Sequence, residues 1–372
     1  NLPAQIPRKE GPARFSLDMT NIRPEASGRL PQGMSGLISL HASGEAAGLT
    51  LRDLSGTIDF RDLSFKMNEL SLGQNQPSQI TVRNGVASIS KLSLSGTETG
   101  IEVNGSADLA ADGRLDLRLR GSVNAALLTF KNRDLKTAGK INVALVVSGN
   151  RNAPGFWGLA EMNGGRLTLR DPRIVADSLS VRLALDTKQI SVREFKGNVN
   201  GGPMEASGTL RLERDGLRDV DLKATVQDFF LDFPEGLKSS SSGTLSITSV
   251  EEDIEIGGTI RVQESAFRES FDVSGRLMNY LRSQQVVALD REPSPMLDRI
   301  RLNVAVRTIA PMMVQNNAAR LEGSANLRLV GPVQEPSVIG RITLSDGGEI
   351  ILNQRTYYIN RGVVNFSNQA RI

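Results

Sequence analysis

A period of two runs through this chain. Arg114-Leu115-Asp116-Leu117-Arg118-Leu119-Arg120 alternates charge and leucine without a break. The alternation returns at Ile141-Asn142-Val143-Ala144-Leu145, at Val181-Arg182-Leu183-Ala184-Leu185 and at Val220-Asp221-Leu222. Its longest copy is Ile300-Arg301-Leu302-Asn303-Val304-Ala305-Val306, and Ile342-Thr343-Leu344 repeats it near the end. Successive side chains of a strand point to opposite faces, so each run sets an aliphatic face against a polar one. The aliphatic members of these runs are the candidate functional lining. A sheet that is apolar on one side has to be covered, and what covers it is the functional question.

The same reading predicts about two dozen short strands and an all-β fold. Asn84-Gly85, Asp112-Gly113, Asp215-Gly216 and Asp346-Gly347 lie between alternating runs and predict hairpin turns. The tract Ser239-Ser240-Ser241-Ser242 reads as an ordinary loop, and Trp157, just after Pro154-Gly155-Phe156, as a packed turn anchor. One segment departs from the β period. Leu277, Tyr280 and Leu281 fall at helical spacing behind a capping Ser274. A short amphipathic helix over 274–292 is expected, either plugging an open end of the sheet or gating its apolar face. It separates a repetitive β region over 1–273 from a β segment over 293–372.

Two glycine phrases recur at longer range. One begins at Gly56, Gly158, Gly258 and Gly340, the other at Gly105, Gly208 and Gly323. Gly56 and Gly105 are 49 residues apart, and Gly158 and Gly208 are 50 apart. Such repetition favours a solenoid-like stack, and 372 residues exceed what one compact core usually holds. Two packed sheets or one long curled sheet would each bury a one-sided face. The cadence continues across the serine tract without a recognisable linker, which favours a long curled sheet: a trough with a hydrophobic interior.

Composition narrows the chemistry. With one histidine, His41, and no cysteine, the usual zinc ligand sets cannot be assembled. No nucleophile elbow or phosphate-binding glycine loop is present. The acidic groups Glu251-Glu252-Asp253 and Asp219/Asp221 read as a turn and a polar strand face, so no enzyme and no cofactor are expected. Net charge is +3, the charges are dispersed, and aromatics make up 4% of residues. Base stacking and a nucleic-acid footprint are therefore not expected. A face of leucine, valine and isoleucine suits an acyl chain or another apolar strand.

The last fifty or so residues carry a more specific pattern. Arg320-Leu321-Glu322-Gly323-Ser324-Ala325-Asn326-Leu327 is followed by Gly331-Pro332-Val333-Gln334-Glu335-Pro336-Ser337-Val338-Ile339-Gly340 and Gly347-Gly348-Glu349-Ile350. Tyr357-Tyr358-Ile359-Asn360-Arg361-Gly362-Val363-Val364-Asn365-Phe366 completes it. This resembles the C-terminal region of the TamB family, the inner-membrane subunit of the translocation and assembly module, within the AsmA-like bridge-like lipid-transfer group.

The resemblance implies a β-taco groove spanning the periplasm of a diderm bacterium. It implies phospholipid as cargo, moving from inner to outer membrane, and an Omp85-type outer-membrane barrel as partner. An inner-membrane anchor and a further strand-rich tail are expected outside the present sequence. Two functions follow as expectations. One is a passive lipid conduit; the other is a scaffold for outer-membrane barrels working through free strand edges. A closed core is the plain alternative for the lining residues.

Overall fold

The computed structural model describes residues 12–27, 34–48, 50–67, 70–129, 135–170, 173–213, 216–232, 236–251, 253–270, 299–333, 336–352 and 354–371. Among them there are 24 strands, three short 3-10 turns and no α-helix, and the strands belong to one mixed sheet. The all-β expectation holds. The helix expected at 274–292 lies outside the described residues.

The chain divides into two compact units, Asn1–Leu167 with Ser178–Arg193, and Thr168–Asp177 with Glu194–Ile372. The first holds β1 (Ala13–Ile22), β2 (Met34–Ala46), β3 (Leu54–Met67), β4 (Leu70–Gln74), β5 (Ser78–Arg83) and β6 (Val86–Gly96). It continues with β7 (Thr99–Asp108), β8 (Arg114–Asn124), β9 (Leu135–Ala138), β10 (Lys140–Asn150) and most of β11 (Ala153–Leu169) and β12 (Ile174–Asp186). Neighbouring strands pair antiparallel through β1–β2–β3–β5–β6–β7–β8–β10–β11. Short hairpin turns make that possible. Asn84 and Gly85 both adopt positive φ, 50° and 74°, as the two-residue turn between β5 and β6 requires.

Then come β13 (Gln189–Val199), β14 (Gly202–Glu213), β15 (Gly216–Asp232), β16 (Leu237–Val250) and β17 (Asp253–Phe267). The chain closes with β18 (Ile300–Thr308), β19 (Met312–Gln315), β20 (Ala319–Pro332), β21 (Ser337–Leu344), β22 (Gly348–Leu352), β23 (Arg355–Ile359) and β24 (Gly362–Arg371). From β14 onward these strands make up the second unit, which is not a simple meander. β17 runs parallel to β18, with Ile254 beside Ile300 and Val262 beside Thr308. Parallel neighbours need a crossover rather than a hairpin, and here 32 residues lie between Phe267 and Ile300.

Two local expectations are corrected. The serine tract is not a loop but part of β16. Ser239 and Ser241 are buried on one face, Ser241 opposite Phe229. Ser240 and Ser242 hydrogen-bond to Gln263 on the other face. Small side chains at alternate positions leave room for the phenylalanine ring, and hydroxyls satisfy the polar side. Trp157 is likewise no turn anchor. It sits within β11, 46% exposed, opposite Val146 on the face that also carries Arg118.

Candidate functional site

The aliphatic residues of the alternating runs are brought side by side within each unit. In the first, Leu117 faces Val147, Leu119 faces Leu145, and Ile141 faces Val123 across β8 and β10. Val143 and Leu145 continue onto Ala160 and Gly158 of β11. Leu115 lies opposite Ala107 at the near end of β8. Arg114, Asp116, Arg118 and Arg120 are exposed on the opposite face, as the period of two demands. Leu119, Leu145, Gly158 and Leu185 border an open hollow of about 420 Å³ whose lining also includes Arg118, Ala144 and Trp157 from the alternate positions. Val181 and Leu183 are half-buried members of the same strand as Leu185.

In the second unit Leu222 lies between Gly208 and Ile247. Ile300, Leu302, Val304 and Val306 lie beside Ile254, Ile256, Gly258 and Ile260. Val304 and Val306 are followed by Leu329 and Leu327 on β20. Ile342 and Leu344 pair with Ala325 and Gly323. Val220 and Val304 are the two candidate lining residues that are buried. The other fifteen stay half-buried.

The recurrent glycines occupy one kind of place on this face. Gly105 has φ +132° and lies opposite Leu117; Gly208 has φ +143° and lies opposite Leu222. A Cβ on Gly105 would strike the carbonyl oxygen of Asp116, and one on Gly208 that of Asp221. Only glycine adopts this backbone region without strain, and only glycine lets the neighbouring strand approach so closely. At Gly105 and Gly208 the glycine phrase seen in sequence therefore marks a point where a strand turns away from extended geometry beside an aliphatic partner.

The degree of burial is unusual for a core. Among the described residues no large side chain is completely enclosed, and eleven apolar residues are buried, ten of them in strands. Neighbouring strands of a sheet cover one another laterally, and most of these positions stay half-buried. An aliphatic face in this state offers dispersion contacts and area removed from water. It offers no hydrogen bond and no charge, so it cannot fix the position of what lies on it.

The polar side groups are engaged in surface pairs. His41 Nδ1 lies 2.9 Å from Asp18, whose carboxylate is also 3.2 Å from Arg61. The His41 hydrogen bond, with the charges of His41 and Arg61, holds the Asp18 carboxyl below the usual range. Asp219 pairs with Arg211 at 2.8 Å and Asp253 with Arg301 at 3.5 Å, both ordinary surface pairs. No group of three potential metal ligands occurs among the described residues. None of their helices is long and apolar enough to cross a membrane.

The family model described as TamB C-terminal domain matches residues 193–371. No curated protein and no solved structure matches the chain.

Proposed function

We propose, from the membership of this chain in the TamB family, that its aliphatic face carries phospholipid acyl chains between the inner and outer membranes of a diderm envelope. The observation that supports this reading is the half-buried state of the lining. Leu117, Leu119, Val143 and Leu145 are ordered into neighbouring rows yet remain reachable, as a surface awaiting a mobile apolar ligand would be. Burial of acyl chain against it gains about 25 cal/mol per Å² and has no preferred direction, so lipid can slide along the row. Headgroups stay in water, and no catalytic step is required of the protein.

A second reading is supported by the strand edges of the second unit. Among the described pairings β23 is joined to β22 and β24 to β21, leaving one backbone edge of each without a described partner. Free edges accept an added strand through backbone hydrogen bonds alone. On that reading the protein scaffolds outer-membrane barrels, in keeping with an Omp85-type partner, and works anchored in the inner membrane through a segment outside the present sequence.

Lipid mass spectrometry on the purified protein separates the two. The conduit reading expects stoichiometric phospholipid that is lost on Leu119→Arg while the β circular dichroism spectrum is kept. Copurifying unfolded barrel chains without phospholipid would favour the scaffold and overturn the conduit.

A further inference from the structure

The polar face of the second unit gathers arginines that are far apart in sequence. Register places Arg261 beside Arg307, Arg307 opposite Asn326, Asn326 opposite Arg341, and Arg341 opposite Asn365. This is one cross-strand row over β17, β18, β20, β21 and β24. Arg328 stands two residues from Asn326 on the same face of β20. Neighbouring strands are ~4.8 Å apart, so Arg261 and Arg307 are like charges in direct apposition, an arrangement that destabilises a sheet.

Nothing in the described protein offsets it. Among the described residues no carboxylate pairs with Arg261, Arg307, Arg328 or Arg341, and Arg341 donates from Nε to Asn365 at 3.0 Å. The acids of this face stand toward its margins. Asp253 is engaged by Arg301, Glu255 accepts from Asn303, Glu349 pairs with Arg320, Glu322 lies four residues from Asn326, and Glu264 lies beyond the β-bulge that follows Arg261. A cavity of about 980 Å³ is lined by Arg307, Ser324, Asn326, Arg341, Thr343 and Asn365. Two guanidinium forks, two amides and two hydroxyls around one hollow match the oxygens of a phosphate.

The rim indicates what bears that phosphate. Ile309, two residues beyond Arg307, is 65% exposed, and Val363, opposite Thr343, is 46% exposed. Met313, opposite Glu322, is exposed as well. Apolar side chains projecting beside unpaired arginines fit a bilayer surface, where phosphates and the first acyl carbons lie together. We infer that this face is a docking site for the phosphate headgroups of an anionic phospholipid bilayer. The site lies on the face opposite the aliphatic lining, and it does not depend on the conduit reading.

Vesicle flotation of the full chain tests it, with phosphatidylglycerol and phosphatidylcholine vesicles compared at low ionic strength. Binding is expected on phosphatidylglycerol, and the double variant R307Q/R341Q should weaken it about thirtyfold, each surface arginine contributing roughly equally. Binding to phosphatidylcholine through the aliphatic face should be the same for both proteins. The control pair R120Q/R166Q, in the first unit, should retain binding. Equal loss in the control, or no loss in R307Q/R341Q with circular dichroism unchanged, would overturn the site. Complete displacement by millimolar inorganic phosphate would overturn the bilayer as its ligand and leave a free-anion site.

Discussion

Leu145 and Val304 read identically in sequence, each an aliphatic residue mid-way through an alternating strand, and the fold sets each opposite a glycine. Their surroundings differ. Leu145 faces Gly158 and, with Leu119 and Leu185, borders an open hollow; it remains half-buried. Val304 faces Gly258 within a row that runs Leu245–Gly258–Val304–Leu329–Val338, and only 4% of it is exposed. The glycines do not decide this: Gly158 is half-buried beneath the Leu145 side chain, whereas Gly258, beside the buried Val304, is exposed. A period of two therefore establishes which face a side chain occupies, while cover is decided by what sits across two and three strands. The first unit offers the more accessible stretch of lining, and the second is locally closer to a core.

Arginine substitution should split the pair most widely. Val304→Arg places a charge where no carboxylate is described, and should cost more than ~3 kcal/mol, enough to unfold the second unit. Leu145→Arg can extend its stem along the aliphatic face and reach water, at roughly 1 kcal/mol. Hydrogen exchange resolved by unit would register protection lost for the first variant and kept for the second. Equal losses would erase the distinction between them.

Two glycines sharpen the account of close strand approach. Gly105→Ala forces a side chain into φ +132° and against the Asp116 carbonyl, and should cost roughly 1–3 kcal/mol. Gly100, in the same strand, has no atom within 4 Å of an added Cβ, so Gly100→Ala should change the denaturation midpoint little. In the second unit, Ser241→Leu should overpack against Phe229 at about 1–3 kcal/mol, an effect that a loop serine would not produce.

The smallest effect is electrostatic. The folded-state pKa of Asp18 is depressed, so its contribution is present above the unfolded carboxylate pKa and is lost as pH falls through the folded value. Asp18→Asn should flatten the stability profile of the first unit in that acid window only, as read by melting at a series of pH values. Because the group is surface-exposed, the difference should shrink in high salt.

Where alternation was unbroken the strands were legible: β8, β10 and β18 lie where Leu115–Leu119, Ile141–Leu145 and Ile300–Val306 placed them. It failed where a bulge reset the phase. In β6 the register shifts between Ile89 and Leu92, which hides one continuous strand behind two half-patterns. The serine tract misled for a related reason, since polarity gave no sign that Ser239 and Ser241 face inward across another shift. Pairing was less legible still. Nothing local to Ile254 or Ile300 announces that they run parallel. The arginine row joins residues from 261 to 365, and it exists only once five strands are in register. The candidate lining was legible by face, its uneven cover was not.

Photocrosslinking tests the central claim most directly. A diazirine side chain would be placed singly at Leu117, Leu119, Val143 and Leu145, and at the outward neighbours Arg118 and Ala144, in cells carrying the full-length protein. The conduit predicts phospholipid adducts at the four inward positions and none at the two outward ones, a period of two in the adducts matching that of the sequence. Adducts absent from every inward position, or equal on both faces, would contradict it.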